Sequence, residues 1–220
     1  MSGGVAMMSR VPVHGEKATS YTDAGFPKRA SFIPVVSAVD PLAEAQGISR
    51  GQLDAVSLVS QQRSGAAETI PALFASRIAL GGLAADECIR PQTTAASLAA
   101  MPPSFAPLAV QYAAALDGPI DHRHTIGHAP PICDGAGLAL VGGAPGAAAR
   151  PRARIMAYAE SGGDPHASLL AGFTAMERVL AKAGLTLADM DRIEFMEAFA
   201  VTIAKFLRDC PVDTERVNVG

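Results

Sequence analysis

Between Asp191 and Phe206 the spacing of apolar residues changes period. Ile193 and Phe195 alternate with polar neighbours, the two-residue repeat of a short half-buried strand, whereas Phe199, Ile203 and Phe206 recur at helical intervals. A strand that runs directly into a helix projects its turn residues from the end of a sheet, where α/β enzymes gather ligands. The turn is Met196-Glu-Ala-Phe-Ala200. Upstream, Ser49-Arg-Gly-Gln52 is a capping box that predicts a helix through Leu53, Val56, Val59 and Ala67, amphipathic with a polar Gln/Arg face. Asp40 followed by Pro41 predicts the cap and first residue of a shorter helix closed by Gly47. Asp134-Gly135 turns the chain into Ala136–Val141, an apolar run that predicts a buried strand. Another strand is expected where Arg152 and Arg154 alternate with Ala153 and Ile155, over residues 150–160. Asp164-Pro165 predicts the start of a helix with the stripe Leu169, Leu170, Phe173, Met176, Val179 and Leu180, and Gly184 ends it. Residues 13 to about 38, rich in Gly, Pro, Ser and Lys, read as a loop.

Composition narrows the class without naming a reaction. The 220 residues are 49% hydrophobic and 18% charged, with a formal net charge of −3. That is a globular balance, enough for one large domain or two small ones. No basic run exceeds the alternating Arg150, Arg152 and Arg154, so no nucleic acid or anionic membrane is called for as a partner. Cys88, Cys133 and Cys210 are an odd set without Cys-x-x-Cys spacing. This argues against a disulfide framework or zinc site and for a reducing, cytoplasmic location. Apolar runs are of strand length and no signal peptide is visible, so no membrane span is expected.

Few residues declare chemistry by themselves. His122 and His124 stand two apart, as on one face of a strand, which would suit a metal. No third ligand is identifiable, so a solvated turn is expected and no metal site is assigned. His128 has the tunable pKa of an acid or base; its plain alternative is packing in a loop with a bond to a backbone carbonyl. Cys133 has neither a local histidine nor an obvious helix N-terminus to hold a thiolate, and it is not expected to be a nucleophile. Arg90 carries a planar, permanently charged fork suited to phosphate or to stacking on adenine. Ser97 would serve equally as a helix cap.

Taken in order, these segments resemble the thiolases, which make or break carbon–carbon bonds in acyl-coenzyme A esters. Met196-Glu-Ala-Phe-Ala200 resembles the family's Asn-Glu-Ala-Phe-Ala signature, and Ser2–Pro12 is similar to its Gly-Gly-x-Glu-x-Met-Ser-x-x-Pro segment at Gly3, Gly4, Met8, Ser9 and Pro12. Gly47-Ile-Ser-Arg50 with Asp54, and Ser60-Gln-Gln-Arg63, look like the helix of the thiolase loop domain. Asp86-Glu-Cys-Ile-Arg90 through Phe105 follows the ordered motifs of that domain. Thr125–Ala136 enters the second half-fold, firmly at Asp134-Gly-Ala and loosely before it, with His128 where the family has asparagine and Pro130 where it commonly has serine. Glu177–Asp191 and Val217-Asn-Val219 complete the series.

The resemblance implies an α/β protein with a partial thiolase fold. Residues 1–12 would be the end of the N-terminal half, 13–121 a mainly helical loop domain, and 122–220 the start of the C-terminal βαβ half. It implies coenzyme A or acyl-CoA as substrate, with no covalently bound cofactor. Arg90, Ser97, His128, Pro130, Ala198 and Phe199 are then the candidate residues along the nucleotide, pantetheine and thioester. Glu197 is expected to be structural. The family's nucleophilic cysteine, its Gly-His-Pro histidine and its second cysteine match no residue of the chain. Met196 stands where the family's asparagine (histidine in some subfamilies) fixes an oxyanion-hole water, and a thioether cannot donate a hydrogen bond. The expectation is a truncated acyl-CoA C-acyltransferase of the acetyl-CoA acetyltransferase type, inactive alone. The alternative is a non-catalytic thiolase-like protein that binds acyl-CoA or a partner subunit. The expected partner is a second copy or a complementing thiolase fragment.

Overall fold

A computed structural model of the protein describes residues 1–11, 15–23, 25–116, 118–143 and 152–219. Pro12 and Arg150, used above, lie outside these residues. In chain order the elements are β1 (Ser2–Met7), α1 (Thr19–Thr22), α2 (Phe26–Ala30), α3 (Val35–Ala45), α4 (Arg50–Ala67), α5 (Ala95–Ala99), α6 (Ala106–Gln111), β2 (Asp134–Ala139), α7 (Ala171–Ala183) and α8 (Ala200–Asp209). Short 3₁₀ turns lie between several of them. The stretch from residue 13 to about 38, expected to be loop, therefore holds two short helices and the start of α3.

The core is built around α8. Its extended N-cap, Phe199, is followed by Ala200, Val201, Thr202, Ile203, Ala204 and Phe206, all buried, while Lys205 stays outside that set. One side meets Val39, Leu42 and Ala43 of α3, with Ile48 and Leu53 at the head of α4. The other side carries Ile203 and Phe206, which cluster with Val217. The Phe195 ring stacks on Phe206 at 4.5 Å between centroids, and Phe173 of α7 tilts against Phe195 at 5.6 Å. The helical period read from Phe199, Ile203 and Phe206 is thus the buried face of α8. The strand expected before it is reduced to one parallel bridge, Ile193 to Val217, with no further pair extending it among the described residues.

The α4 capping box forms as read: the Ser49 hydroxyl accepts from the Gln52 N–H, and the Gln52 side chain accepts from the Ser49 N–H at 2.8 Å. Gly47, at φ +62°, gives the chain the left-handed turn between α3 and α4. Asp40 does not cap α3. The helix begins at Val35, Asp40 and Pro41 lie inside it, and the Asp40 carboxylate is buried against another segment.

Three further expectations are corrected. The apolar run predicted as a buried strand does form β2, pairing antiparallel with β1 from Ser2 opposite Ala139 to Met7 opposite Asp134. Every residue of both strands is exposed to solvent: Val5 is 71% and Leu138 77% exposed. Apolar content sets strand propensity, and burial needs a covering layer that the described residues do not provide. Over 152–160 no strand forms; the Tyr158 and Glu160 carbonyls accept from Lys182 and Arg178 of α7 instead of from a neighbouring strand. Asp164 does cap, accepting from the His166 N–H at 2.9 Å, but the turn is 3₁₀. Leu169 then takes φ +73°, and the α-helix starts only at Ala171.

Burial on this scale separates two classes of apolar residue. Leu53→Ala, in the fully buried class, is expected to lower unfolding free energy by about 2–5 kcal/mol in urea titration. Leu138→Ala, on the exposed ribbon, should change it by no more than about 0.5 kcal/mol. Equal losses would mean that the ribbon is covered in solution.

Candidate functional site

Two carboxylates fasten residues 122–128 to the paired helices. Asp40 of α3 accepts from the backbone N–H groups of Arg123 at 3.1 Å and His124 at 2.8 Å. It also accepts from the ring Nδ1 of His124 at 2.6 Å and of His122 at 2.9 Å. Burial alone would push this carboxyl up, but the bonds to His124 and His122 outweigh it and hold the group below the ordinary aspartate range. The segment is therefore not a solvated turn: His124 is fully buried, and its Nε2 has no hydrogen-bond partner among the described residues. The aspartate on α3 supplies what the i, i+2 spacing of the histidines did not reveal. Among the described residues no group of three or more His, Cys, Asp or Glu is placed to hold a metal.

Asp54 of α4 is the second fastener, accepting from Arg50 Nε at 2.9 Å and from His128 Nε2 at 2.7 Å. The Thr125 N–H donates to His128 Nδ1 at 3.0 Å, which leaves the ring proton on Nε2, facing Asp54. His128 was expected to bond a backbone carbonyl. Its partners are a backbone N–H and a carboxylate, because the Thr125 turn brings a donor to the ring and α4 brings an acceptor. Burial lowers the His128 pKa, partly opposed by Asp54, so the neutral imidazole is favoured. Arg50 extends the same knot to α5, donating to the Leu98 carbonyl at 2.6 Å and the Met101 carbonyl at 3.0 Å.

The Met196–Ala200 turn meets this layer through Phe199. The Phe199 ring stands edge-on to Phe105 at 6.0 Å and to His124 at 6.2 Å, and His124 is edge-on to His128 at 5.8 Å. Glu197 accepts from the Ser60 hydroxyl and from Asn218 Nδ2, the latter at 2.7 Å. Asn218 also brackets Phe195, accepting from its N–H at 2.7 Å and donating to its carbonyl at 2.9 Å. Arg63 reaches the Val217 carbonyl at 2.6 Å. The polar face of α4 read from Ser60-Gln-Gln-Arg63 is therefore a clip between segments.

Of the six candidate binding residues, His128 and Phe199 are buried in one aromatic layer. Ala198 is half-buried and lines an apolar cleft of about 520 Å³ with Tyr158, Leu169, Phe195 and Met196, a volume within the usual range for small-molecule sites. Ser97 lies on α5, where its hydroxyl completes a capping box with Thr94. Its neighbour Leu98 packs so close to Gly127 that a Cβ there would lie 2.9 Å from Leu98 Cδ2. Pro130 is exposed. Arg90 is exposed and anchored by its backbone N–H to Gln61 Oε1 at 2.6 Å. Gln61 is about 10 Å along α4 from Asp54 at 1.5 Å per residue, so Arg90 is not gathered with the aromatic layer. Met196 is 73% exposed at the mouth of the turn. Asp40, Phe105 and Asn218, which hold this arrangement, were not singled out as site residues in the sequence.

Residues 149–220 match a family model described as the thiolase C-terminal domain. The chain is 32% identical over 199 residues to human mitochondrial 3-ketoacyl-CoA thiolase, covering 86% of this chain and 47% of that protein. It is 32% identical over 252 residues to Escherichia coli β-ketoadipyl-CoA thiolase and 34% over 235 residues to a 3-ketoacyl-CoA thiolase of Shewanella sp., covering 99% of this chain and 59% and 57% of theirs. The crystal structure of human mitochondrial 3-ketoacyl-CoA thiolase in complex with CoA superposes with a TM-score of 0.76 at 27% identity, covering 99% of this chain and 56% of that one. The fold is accordingly a partial thiolase fold, and the chain spans about half the length of the relatives it matches.

Replacing Asp40 by Asn puts an amide N–H₂ among donors, and is expected to cost about 2–4 kcal/mol in chemical denaturation. The His128 environment sets a pH dependence. Below pH about 6.5 the unfolded chain takes up a proton that the folded imidazole refuses, so stability falls as pH drops through that range and levels off below the folded pKa. Urea midpoints between pH 7.5 and 5 should show this slope, and His128→Gln should flatten it; an unchanged slope in the variant would contradict the assignment.

Proposed function

We propose, from the premise that this chain belongs to the thiolase family, that it is part of an acyl-CoA C-acyltransferase which holds the coenzyme A thioester and does not turn over alone. The observation that carries this reading is the placement of the Glu197-Ala-Phe199 turn. Ser60 and Asn218 fix Glu197, Phe199 is locked against His124 and Phe105, and Ala198 faces an apolar cleft able to accept an acyl or pantetheine chain. Ser97, His128 and Pro130 border the pantetheine path in this proposal, and Arg90 meets the nucleotide end. Residues 1–12, 13–121 and 122–220 act as the end of the first half, the loop domain and the start of the second half. The pairing of β1 with β2 supports the contact between the first and third of these.

The inactivity rests on chemistry within the chain. Reversible thioester attack needs a thiolate. Burial and the Asp86 carboxylate push the Cys88 thiol up, and burial does the same at Cys210. Met196 offers no donor to a developing oxyanion. A purely binding role, with a second copy or a complementing thiolase polypeptide as partner, is favoured over catalysis by that one substitution in the signature.

Calorimetric titration with coenzyme A should give saturable binding, weakened about tenfold, or ~1.4 kcal/mol, in Arg90→Ala. Acetoacetyl-CoA cleavage by the same preparation should be absent. Turnover comparable to a full-length thiolase would overturn the inactivity, and no binding at millimolar coenzyme A would overturn the site.

A further inference from the structure

The apolar cleft beside Ala198 is far larger than a two-carbon acyl group can fill. Its volume is about 520 Å³, and a methylene takes up about as much room as a water molecule in the liquid, about 30 Å³. The space therefore sets a ceiling of about 17 methylenes. Length gives a second bound. Along α7 the wall runs from Gly172 to Leu180, about 12 Å at 1.5 Å per residue. An extended chain advances about 1.2 Å per bond, so one straight pass accommodates about ten carbons.

The lining decides what kind of chain fits. Met176, Val179, Leu180, Leu187, Ile193 and Phe195 make up much of it, and Arg192 and Glu194 are exposed. Thr202 is buried, and its hydroxyl donates to the Phe199 carbonyl at 2.8 Å. Among the described residues the buried polar atoms without a hydrogen-bond partner are Ser37 Oγ and His124 Nε2, and neither residue lines the cleft. Pantetheine would bring two amides into this space and give up their hydrogen bonds to water, whereas an alkyl chain has none to lose. Met176 and Met190 are unbranched and rotate freely, so the walls adapt to a range of lengths. Ala198 and Met196 belong both to this lining and to the Met196–Ala200 turn, which makes the cleft continuous with the proposed thioester position.

We propose that this cleft holds the tail of an acyl-CoA of about ten to sixteen carbons, so that the chain selects medium- and long-chain thioesters over acetyl-CoA. The inference rests on the coenzyme A reading above and adds the acyl length to it. Selection follows from covered apolar area: each methylene drawn into the cleft leaves water, and an acetyl group has almost none to contribute.

The test is calorimetric titration of the whole chain with coenzyme A and with butanoyl-, octanoyl-, dodecanoyl- and hexadecanoyl-CoA below their micelle concentrations. Affinity should rise about two- to fourfold with each added methylene up to dodecanoyl-CoA and level off by hexadecanoyl-CoA. Gly172 lines the cleft, and a Cβ there meets open space. Gly172→Leu therefore narrows the cleft without a clash and replaces a poor helix former. It should weaken dodecanoyl-CoA by about tenfold while leaving butanoyl-CoA and coenzyme A unchanged. Affinity independent of chain length, with coenzyme A still bound, would overturn the acyl length and leave the coenzyme A site standing. Undiminished dodecanoyl-CoA binding in Gly172→Leu would put the tail elsewhere and overturn it as well. Decanoate and dodecanoate binding with the same sensitivity to Gly172→Leu, where coenzyme A and butanoyl-CoA do not bind, would keep the cleft as an alkyl-chain site and overturn the coenzyme A reading.

Discussion

A carboxylate removed from water must be met by donors, and Asp40 meets four. The position of the 122–128 segment follows from that requirement. Asp40 and Asp54 stand on consecutive helices, joined by the Gly47 turn, and each draws an imidazole onto its helix. Two of the four donors to Asp40 are backbone N–H groups, so the main chain as well as the side chains is fixed. His124 and His128 in turn give the aromatic layer its edges, and Phe199 has a surface to close against. Removing one partner strands a buried charge or ring nitrogen, which is why the pairs work as one knot with Arg50 rather than as separable contacts.

The second organising contact is polar as well. Glu197 sits between a hydroxyl of α4 and the amide of Asn218, and Asn218 holds the Phe195 backbone through both of its side-chain groups. Asn218 takes φ +48°, a conformation asparagine tolerates better than most side chains. The clip therefore sets where the apolar core of α8 ends and where Ala198 and Met196 emerge. Chemistry at the turn would depend on Asn218, 21 positions from Glu197, and on Ser60, 137 positions from it, through backbone position rather than direct contact with a ligand.

Much of this was legible in the residues. The capping box at Ser49, the helical face at Phe199, Ile203 and Phe206, and the left-handed closures at Gly47 and Gly184 are local signals, and local signals survive folding. Motif order likewise gave the family. What was not legible is long-range pairing. A spacing of two between His122 and His124 says which face they share, and nothing about an aspartate on another helix. The alternation at Arg152 and Arg154 describes a strand only if a neighbouring strand is present, and Arg178 and Lys182 satisfy its carbonyls instead. Of the binding candidates, Phe199 and His128 came together because the same aromatic layer buries both, whereas Arg90 is held by its backbone and leaves its guanidinium in solvent.

The distribution of apolar residues also bears on how the molecule works. Helices α3, α4 and α8 enclose a dry interior with fully buried Val39, Ile48, Leu53 and Phe206. The β1–β2 ribbon and residues 152–160 expose Val5, Leu138, Leu140, Ile155, Met156 and Tyr158. A hydrophobic driving force proportional to covered apolar area can act on the first group and has nothing to act on in the second. The helical layer that positions His128 and Phe199 is therefore held by its own packing. Backbone pairing and Ser9 on Asp134 hold the two strands of the ribbon to each other, not to that layer.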